Sequence, residues 1–206
     1  MTQIKICGLF REQDIGFARD AAPDCVGFIL NFPPSHRSLS PERAALLRAG
    51  LPPEIRAVGV FVDRPLDEVA AAAARIRLDA VQLHGSEDNA YIDAIRGKTA
   101  LPVWKAFRVR SPDDLAAAED SAADEVLLDN GYGTGEAFDW RLAGGFSRPF
   151  ILAGGLTPEN IPDAVRALRP KMVDISSGAE TGGVKDRNKM VAAVRAARQP
   201  QIPKEQ

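Results

Sequence analysis

The stretch "PFILAGGLTPENIPDAVRALRPKMVDISSG", residues 149–178, holds a complete strand–helix–strand unit. Its two short, mainly apolar runs, 149–154 and 172–177, are typical of buried strands. Between them, "TPE" at Thr157 places a hydroxyl at a helix N-cap, a proline at the first helical position and an acid in the first turn. We therefore predict a helix over 157–169. A helix that joins two buried strands indicates a parallel sheet.

The same unit recurs along the chain. Its strand-like runs start every 21–24 residues, apart from one longer interval between the second and the third. The eight runs are "IKIC" (4–7), "CVGFIL" (25–30), "RAVGVFV" (56–62), "AVQLH" (80–84), "PVWKAF" (102–107), "EVLLD" (125–129), "PFILAG" (149–154) and "MVDISS" (172–177). Helical segments separate them, and those that begin at Ser40 and Ser111 repeat the N-cap pattern of Thr157.

Eight β-then-α units are the number that closes a barrel of parallel strands with right-handed crossovers. We therefore predict an α/β protein, a single-domain (βα)8 TIM barrel over residues 1–198, followed by a flexible C-terminal tail over 199–206. An open doubly wound sheet is the alternative fold. The barrel is favoured because no glycine-rich dinucleotide fingerprint follows the first strand.

The composition of the 206-residue chain narrows the class of protein. It is 45% hydrophobic and 26% charged, which is ordinary for a globular protein. Its net charge is −2 and it has no block of basic residues, so the sequence does not indicate a nucleic-acid-binding surface. No apolar run approaches the roughly 20 residues that span a bilayer, and the N-terminus lacks a signal-peptide core. We expect a cytoplasmic protein with neither a membrane nor a nucleic-acid partner. Cys7 and Cys25 fit no disulfide framework, so we expect reduced thiols.

In a barrel of this kind the functional site lies at the carboxyl ends of the strands. The residues that close or follow the strands are Cys7-Gly8, 31–37, Asp63, His84-Gly85, Arg108, Asp129, Gly154-Gly155 and Ser176-Ser177-Gly178. Glycines after strands seven and eight allow backbone N–H groups to approach an anion, and these two loops are the usual phosphate site of the fold. One Gly-Gly pair is explained by a tight turn alone, whereas two such loops on adjacent strands favour a phosphate site.

Asp129 and Cys7 have the residue types of an acid–base pair, on the ends of strands that are not neighbours. A carboxyl at an apolar strand end can have a raised pKa and act as an acid, and a thiolate is a good base where nearby cations lower its pKa. Other interpretations stay open: Asp129 could cap a helix or order a loop by hydrogen bonding, and Cys7 could be a buried core thiol. Arg37, after the stiff segment "NFPPSH", could form a bidentate pair with a carboxylate.

His84 lacks a second ligand at metal spacing, so we expect its ring to bind backbone and expect no metal.

Seven motifs in order resemble the phosphoribosylanthranilate isomerase family over residues 3–198. They are "KICG", "SHRSLSPE", "VGVFV", "VQLHG", "LLD…GTGEAFDW", "ILAGGLTPEN" and "VDISSGAE…GVKD". The family is a (βα)8 barrel of tryptophan biosynthesis. The resemblance implies an isomerase that converts N-(5-phosphoribosyl)anthranilate to 1-(o-carboxyphenylamino)-1-deoxyribulose 5-phosphate, an Amadori rearrangement without metal or organic cofactor. It also implies a small-molecule phosphosugar substrate and a monomer or homodimer.

The resemblance further implies roles for individual residues. It makes Cys7 the general base and Asp129 the general acid. The substrate-binding positions that it implies are Arg37 for the anthranilate carboxylate, Asp174 in the site region, and Gly154, Gly155, Ser177 and Gly178 for the phosphate.

The chain departs from the family pattern at Phe10 and Ala179, and only residues 130–132 separate Asp129 from "GTG". Two rival interpretations are another phosphate-binding barrel, such as indole-glycerol-phosphate synthase or a pentose-phosphate epimerase, and a non-catalytic phosphosugar-binding protein. The synthase is expected to have catalytic lysines and a longer N-terminal extension. The presence of both Cys7 and Asp129 argues against a non-catalytic protein.

Overall fold

The computed structural model describes residues 1–129, 143 and 145–199, and eight parallel strands in it close into a barrel. The strands are β1 (Gln3–Cys7), β2 (Cys25–Leu30), β3 (Arg56–Phe61), β4 (Ala80–Leu83), β5 (Val103–Arg108), β6 (Glu125–Asp129), β7 (Phe150–Leu152) and β8 (Met172–Ile175). Each strand pairs in parallel with the next, and β1 pairs with both β2 and β8, which closes the ring. The predicted TIM barrel is confirmed.

Seven helices lie among the described residues and alternate with the strands. They are α1 (Glu12–Ala21), α2 (Pro41–Ala49), α3 (Leu66–Ile76), α4 (Asn89–Thr99), α5 (Pro112–Glu119), α6 (Ile161–Leu168) and α7 (Arg187–Arg198). None of them is long and apolar enough to cross a bilayer. The predicted tail, from residue 200 onward, and the glycine-rich stretch after Asp129 lie outside the described residues.

The helix starts predicted from sequence are correct in two cases out of three. Ser40 caps α2 by accepting a hydrogen bond from the backbone of Arg43, and Ser111 begins a capping box at α5. The third prediction is wrong, because α6 starts at Ile161 and not directly after Thr157. The side chain of Asn160 accepts from the Thr157 N–H, at 2.8 Å, and so stabilises a separate turn before the helix.

Side chains alternate between the inside of the barrel and its helix-covered outside. Ile4 and Ile6 of β1 belong to the core between strands and helices, so Lys5 and Cys7 face the barrel interior. The apolar interior cluster consists of Cys25, Val58, Ala80, Trp104, Ala106, Leu127, Ile151, Ala153 and Met172. These side chains fill much of the barrel interior.

Candidate active site

A cavity of about 380 Å³ opens at the carboxyl ends of the strands. It contains seven of the eight site residues predicted from sequence: Cys7, Arg37, Asp129, Gly154, Gly155, Asp174 and Ser177. The eighth, Gly178, lies next to it and has a packing role described below. Residues from five different strands or the loops after them therefore converge on one space.

Cys7 closes β1 and is buried, with 8% of the residue exposed. Gly27 of β2 lies beside it, and a Cβ at that position would come within 2.7 Å of the Cys7 Sγ. Glycine is therefore needed here to make room for the thiol. Burial raises the pKa of the Cys7 thiol, and the charge of Lys5 opposes that rise without overcoming it. Cations therefore lie beside Cys7, but desolvation has the larger effect on the pKa of its thiol.

Asp129 closes β6 and is nearly buried, and its Oδ2 lies 3.5 Å from Nε2 of His84. The other ring nitrogen of His84, Nδ1, is 3.2 Å from the side-chain amide nitrogen of Gln82. The His84 ring therefore lies between the side chains of Asp129 and Gln82. The prediction that the His84 ring binds backbone is wrong. Side chains alternate with a period of two along β4, so Gln82 and His84, directly after the strand, both face the barrel interior. Other side chains are the available partners there.

Arg37 is held in place by the protein's own carboxylate. Its Nε and Nη2 donate to the two carboxylate oxygens of Glu180, each at 2.6 Å, and Lys185 donates to the same carboxylate at 2.6 Å. Although burial raises the pKa of Glu180, the hydrogen bonds from Arg37 and the charge of Lys185 lower it to about 2. The bidentate pair predicted for Arg37 exists, but its partner in this structure is Glu180.

Two backbone features bring Arg37 to the cavity. The loop that contains it ends in a two-residue strand, Ser38–Leu39, which pairs in parallel with the end of β2. Gly8, at φ +77°, lies under the arginine side chain, and a Cβ there would come within 2.5 Å of the Arg37 Cδ. The guanidinium therefore lies across the end of β1, close to Cys7.

The two glycine loops pack against each other. Gly154 and Gly155 have φ of +88° and +63°, in the left-handed region that favours glycine. A Cβ on Gly178 would lie 1.9 Å from the carbonyl oxygen of Leu156, so the loop after β8 reaches the loop after β7 only because residue 178 is glycine. Ser177 begins the 3₁₀ turn Ser177–Ala179 at this contact. Backbone, rather than side chains, forms this side of the cavity.

The floor of the cavity has two buried acceptors without partners among the described residues. They are Oδ1 of Asp174 and Oε1 of Gln82, and both residues line the cavity. The other oxygen of Asp174, Oδ2, accepts from the fully buried Lys5 at 2.7 Å. Buried acceptors without partners are costly unless a ligand supplies donors, so the floor is suited to bind hydroxyl groups.

The family model for N-(5'-phosphoribosyl)anthranilate (PRA) isomerase matches residues 4–196. The chain belongs to this family. An N-(5'-phosphoribosyl)anthranilate isomerase from Caldanaerobacter subterraneus subsp. tengcongensis is 42% identical over 205 residues, which cover 96% of this chain and 98% of that relative.

Solved structures of the isomerase family have the same fold. A crystal structure of phosphoribosyl anthranilate isomerase in complex with reduced 1-(o-carboxyphenylamino)-1-deoxyribulose 5-phosphate is 34% identical, with a TM-score of 0.85, over 96% of this chain and 99% of the other. Monomers generated from the dimeric isomerase of Thermotoga maritima match with the same identity, TM-score and coverage.

Sequence reasoning did not include four residues that line the cavity or belong to the ion pairs beside it: Lys5, Gln82, Glu180 and Lys185. One signal was available in the sequence, because the pair Gly182-Gly183 is typical of a two-residue hairpin turn. In the structure both glycines have positive φ. That hairpin pairs Glu180 directly with Lys185. The described residues contain no cluster of three or more His, Cys, Asp or Glu side chains suited to a metal ion.

Proposed function

We propose that Cys7 is the general base and Asp129 the general acid in this member of the phosphoribosylanthranilate isomerase family. The enzyme converts N-(5-phosphoribosyl)anthranilate to 1-(o-carboxyphenylamino)-1-deoxyribulose 5-phosphate in tryptophan biosynthesis. The observation that carries the proposal is that one cavity brings together a thiol, a carboxyl, an arginine and two glycine loops from separate strand ends. The reaction needs each of these groups.

The two proton transfers follow from the residue types. The Asp129 carboxyl donates its proton to the furanose ring oxygen, the C1–O bond breaks, and the nitrogen lone pair forms an iminium. The cationic nitrogen acidifies the proton on C2, and the Cys7 thiolate removes it. The electron pair left at C2 neutralises the iminium, and the resulting enolamine tautomerises to the ketone. Each transfer contributes on the order of 10²–10⁴-fold to the rate.

The phosphate end of the substrate is assigned to Gly154, Gly155, Ser177 and Gly178. Positive φ values at the first two residues turn the backbone where no side chain intervenes. The close approach at Gly178 brings the second loop against the first, so that amides of both can face one anion. Loops after strands seven and eight are the usual phosphate site of TIM barrels.

The anthranilate end of the substrate is assigned to Arg37. Glu180 takes the Nε and Nη2 donors on one side of the guanidinium and fixes its plane. The Nη1 end is then directed to a ligand carboxylate, which suits the arginine's planar set of donors. Between the two ends, we assign the free Oδ1 of Asp174 to a hydroxyl of the sugar chain.

We also propose that the enzyme needs no metal or organic cofactor, since both proton transfers are assigned to side chains of the chain itself. A cytoplasmic location, a monomeric or homodimeric state and the lack of a nucleic-acid partner belong to the same proposal. The net charge of −2 and the absence of a basic block support the last of these.

Turnover of freshly prepared N-(5-phosphoribosyl)anthranilate, followed by loss of anthranilate fluorescence, tests the assignment of the acid. Asp129→Asn cannot donate the proton, so kcat should fall by about 10²-fold or more in a folded protein. The matched control is Asp63→Asn, which alters a carboxylate that follows β3 and binds Ser86 outside the cavity lining. A folded Asp129→Asn variant with the kcat of the control would refute the assignment.

A further inference from the structure

Lys5 is a charged side chain enclosed in the barrel, with 0% exposure. It is the direct parallel-strand partner of Asp174, and its Nζ donates to Oδ2 of Asp174 at 2.7 Å. Enclosing an ammonium group is costly, and one ion pair repays the cost only in good geometry. Such a group in an interior-facing position of β1 calls for a functional explanation.

Lys5 and Cys7 lie two residues apart on β1, so they face the same side of the strand. Gly27 shows how closely their side chains converge. A single Cβ at residue 27 would lie 2.7 Å from Sγ of Cys7 and 3.1 Å from Cε of Lys5. The end of the lysine side chain and the thiol therefore border the same small space left by the glycine.

We infer that Lys5 is a positioning residue whose buried ammonium stabilises the thiolate form of Cys7, while Asp174 keeps that ammonium charged and in place. This inference rests on the proposed role of Cys7 as the base. Lys5 transfers no proton itself and keeps its charge throughout the reaction. The C2–H bond of the substrate breaks and an S–H bond forms beside a fixed positive charge.

The charges around the thiol agree with this division of roles. Cys7 is influenced by Lys5 from β1, Asp174 from β8, Lys185 from the hairpin after β8, and Arg37 from the loop after β2. Burial raises the pKa of Cys7 most, and Lys5 is the strongest influence that lowers it, ahead of the opposing effect of Asp174.

Lys5 itself stays charged. Burial lowers the pKa of Lys5, but the charge of Asp174 and the neighbouring Cys7 more than compensate, so the pKa lies above its ordinary value. The ammonium is therefore present over the whole pH range in which a thiol titrates. Of the cations around Cys7, Lys185 and Arg37 both pair with Glu180, which offsets part of their charge.

The test measures the ionisation of Cys7 directly. Iodoacetamide alkylation of Cys7, read by mass spectrometry over a pH series, gives the midpoint of thiolate formation without relying on turnover. Lys5→Met should raise this midpoint by about one pH unit or more, which slows alkylation about tenfold or more at a fixed pH below it. Lys5→Arg should shift it less, because the positive charge is retained.

Two further variants separate this role from general destabilisation. Lys5→Gln removes the positive charge but keeps a polar side chain, and it should raise the midpoint as Lys5→Met does. Lys105→Met is the matched control, because Lys105 is also a buried lysine on a barrel strand but pairs with Glu87, at 3.0 Å. It should leave the Cys7 midpoint unchanged.

An unchanged midpoint in folded Lys5→Met, or a shift of equal size in Lys105→Met, would overturn the inference. Should Lys5→Met fail to fold, Lys5→Gln decides alone, and a midpoint that stays constant or falls refutes the role of Lys5. Failure of the proposed function looks different. In that case Cys7→Ala would retain activity, whatever the alkylation midpoint shows.

Discussion

Replacing Glu180 by glutamine should destabilise the protein and release Arg37. Glu180 is 7% exposed, and its carboxylate accepts two hydrogen bonds from Arg37 and one from Lys185, all at 2.6 Å. The Glu180→Gln substitution retains the shape of the side chain but removes the charge. Lys185, only 2% exposed, is then left as a buried ammonium without a counter-ion.

The size of the effect follows from the pKa of Glu180, which is lowered from 4.5 to about 2. A difference of that size corresponds to about 3 kcal/mol of folding free energy at neutral pH. Breaking a buried ion pair from one side typically costs a similar amount, about 3–5 kcal/mol. Folding lowers the pKa of this carboxyl, so the ionised Glu180 stabilises the folded state. The stabilisation is complete above the pKa of the unfolded state and is lost as the pH falls from about 4.5 towards 2.

Urea unfolding at several pH values measures this contribution. At pH 7 the variant should be less stable than the natural protein by about 3 kcal/mol, and the gap should close as the pH falls towards 2. Turnover should show a raised KM for the anthranilate substrate, because the plane of Arg37 is no longer fixed. The control is Glu68→Gln, which removes an exposed ion pair between Glu68 of α3 and Arg64, four residues earlier. It should lower the free energy of unfolding by no more than about 0.5 kcal/mol. Equal effects in the two variants, or a pH-independent gap, would refute the reasoning.

Three further predictions concern the cavity. Arg37→Ala should cost roughly 2–4 kcal/mol of binding for ligands that carry the anthranilate carboxylate and much less for simple phosphosugars, as inhibition constants would show; equal losses would indicate a structural role. Gly178→Ala should force the loops apart at the Leu156 carbonyl and weaken inhibition by inorganic phosphate about tenfold or more, and unchanged inhibition would contradict the phosphate assignment. His84→Asn should lower kcat about tenfold with little change in KM, because Asp129 loses its ring neighbour; a kcat equal to that of the natural enzyme would exclude a role for the contact.

The barrel could be predicted from sequence because its determinants are local and repeated. Apolar runs at regular intervals and serine caps at Ser40 and Ser111 depend on residues within a few positions of each other. The position of Arg37, Asp129 and the glycine loops at strand ends follows from the fold itself, because the carboxyl ends of all eight strands meet at one face.

The contacts between side chains could not be predicted in the same way. Lys5 meets Asp174 across 169 positions of sequence, and Arg37 meets Glu180 across 143. Such pairs depend on strand register and loop paths, which a single sequence does not specify. His84 was misjudged for the same reason, since its partner Asp129 approaches from a strand that is not adjacent to β4.

The central claim is that the Cys7 thiol, and not merely its bulk, carries out the reaction. The most direct measurement is the kcat of Cys7→Ala and Cys7→Ser with freshly prepared N-(5-phosphoribosyl)anthranilate, after circular dichroism has shown that both variants fold. Both should lose most of their activity, about 10²-fold or more, because neither a methyl group nor an alcohol of far higher pKa accepts the C2 proton readily. A folded Cys7→Ala enzyme that retains most of its kcat would contradict the account and leave Cys7 as a packing residue at the end of β1.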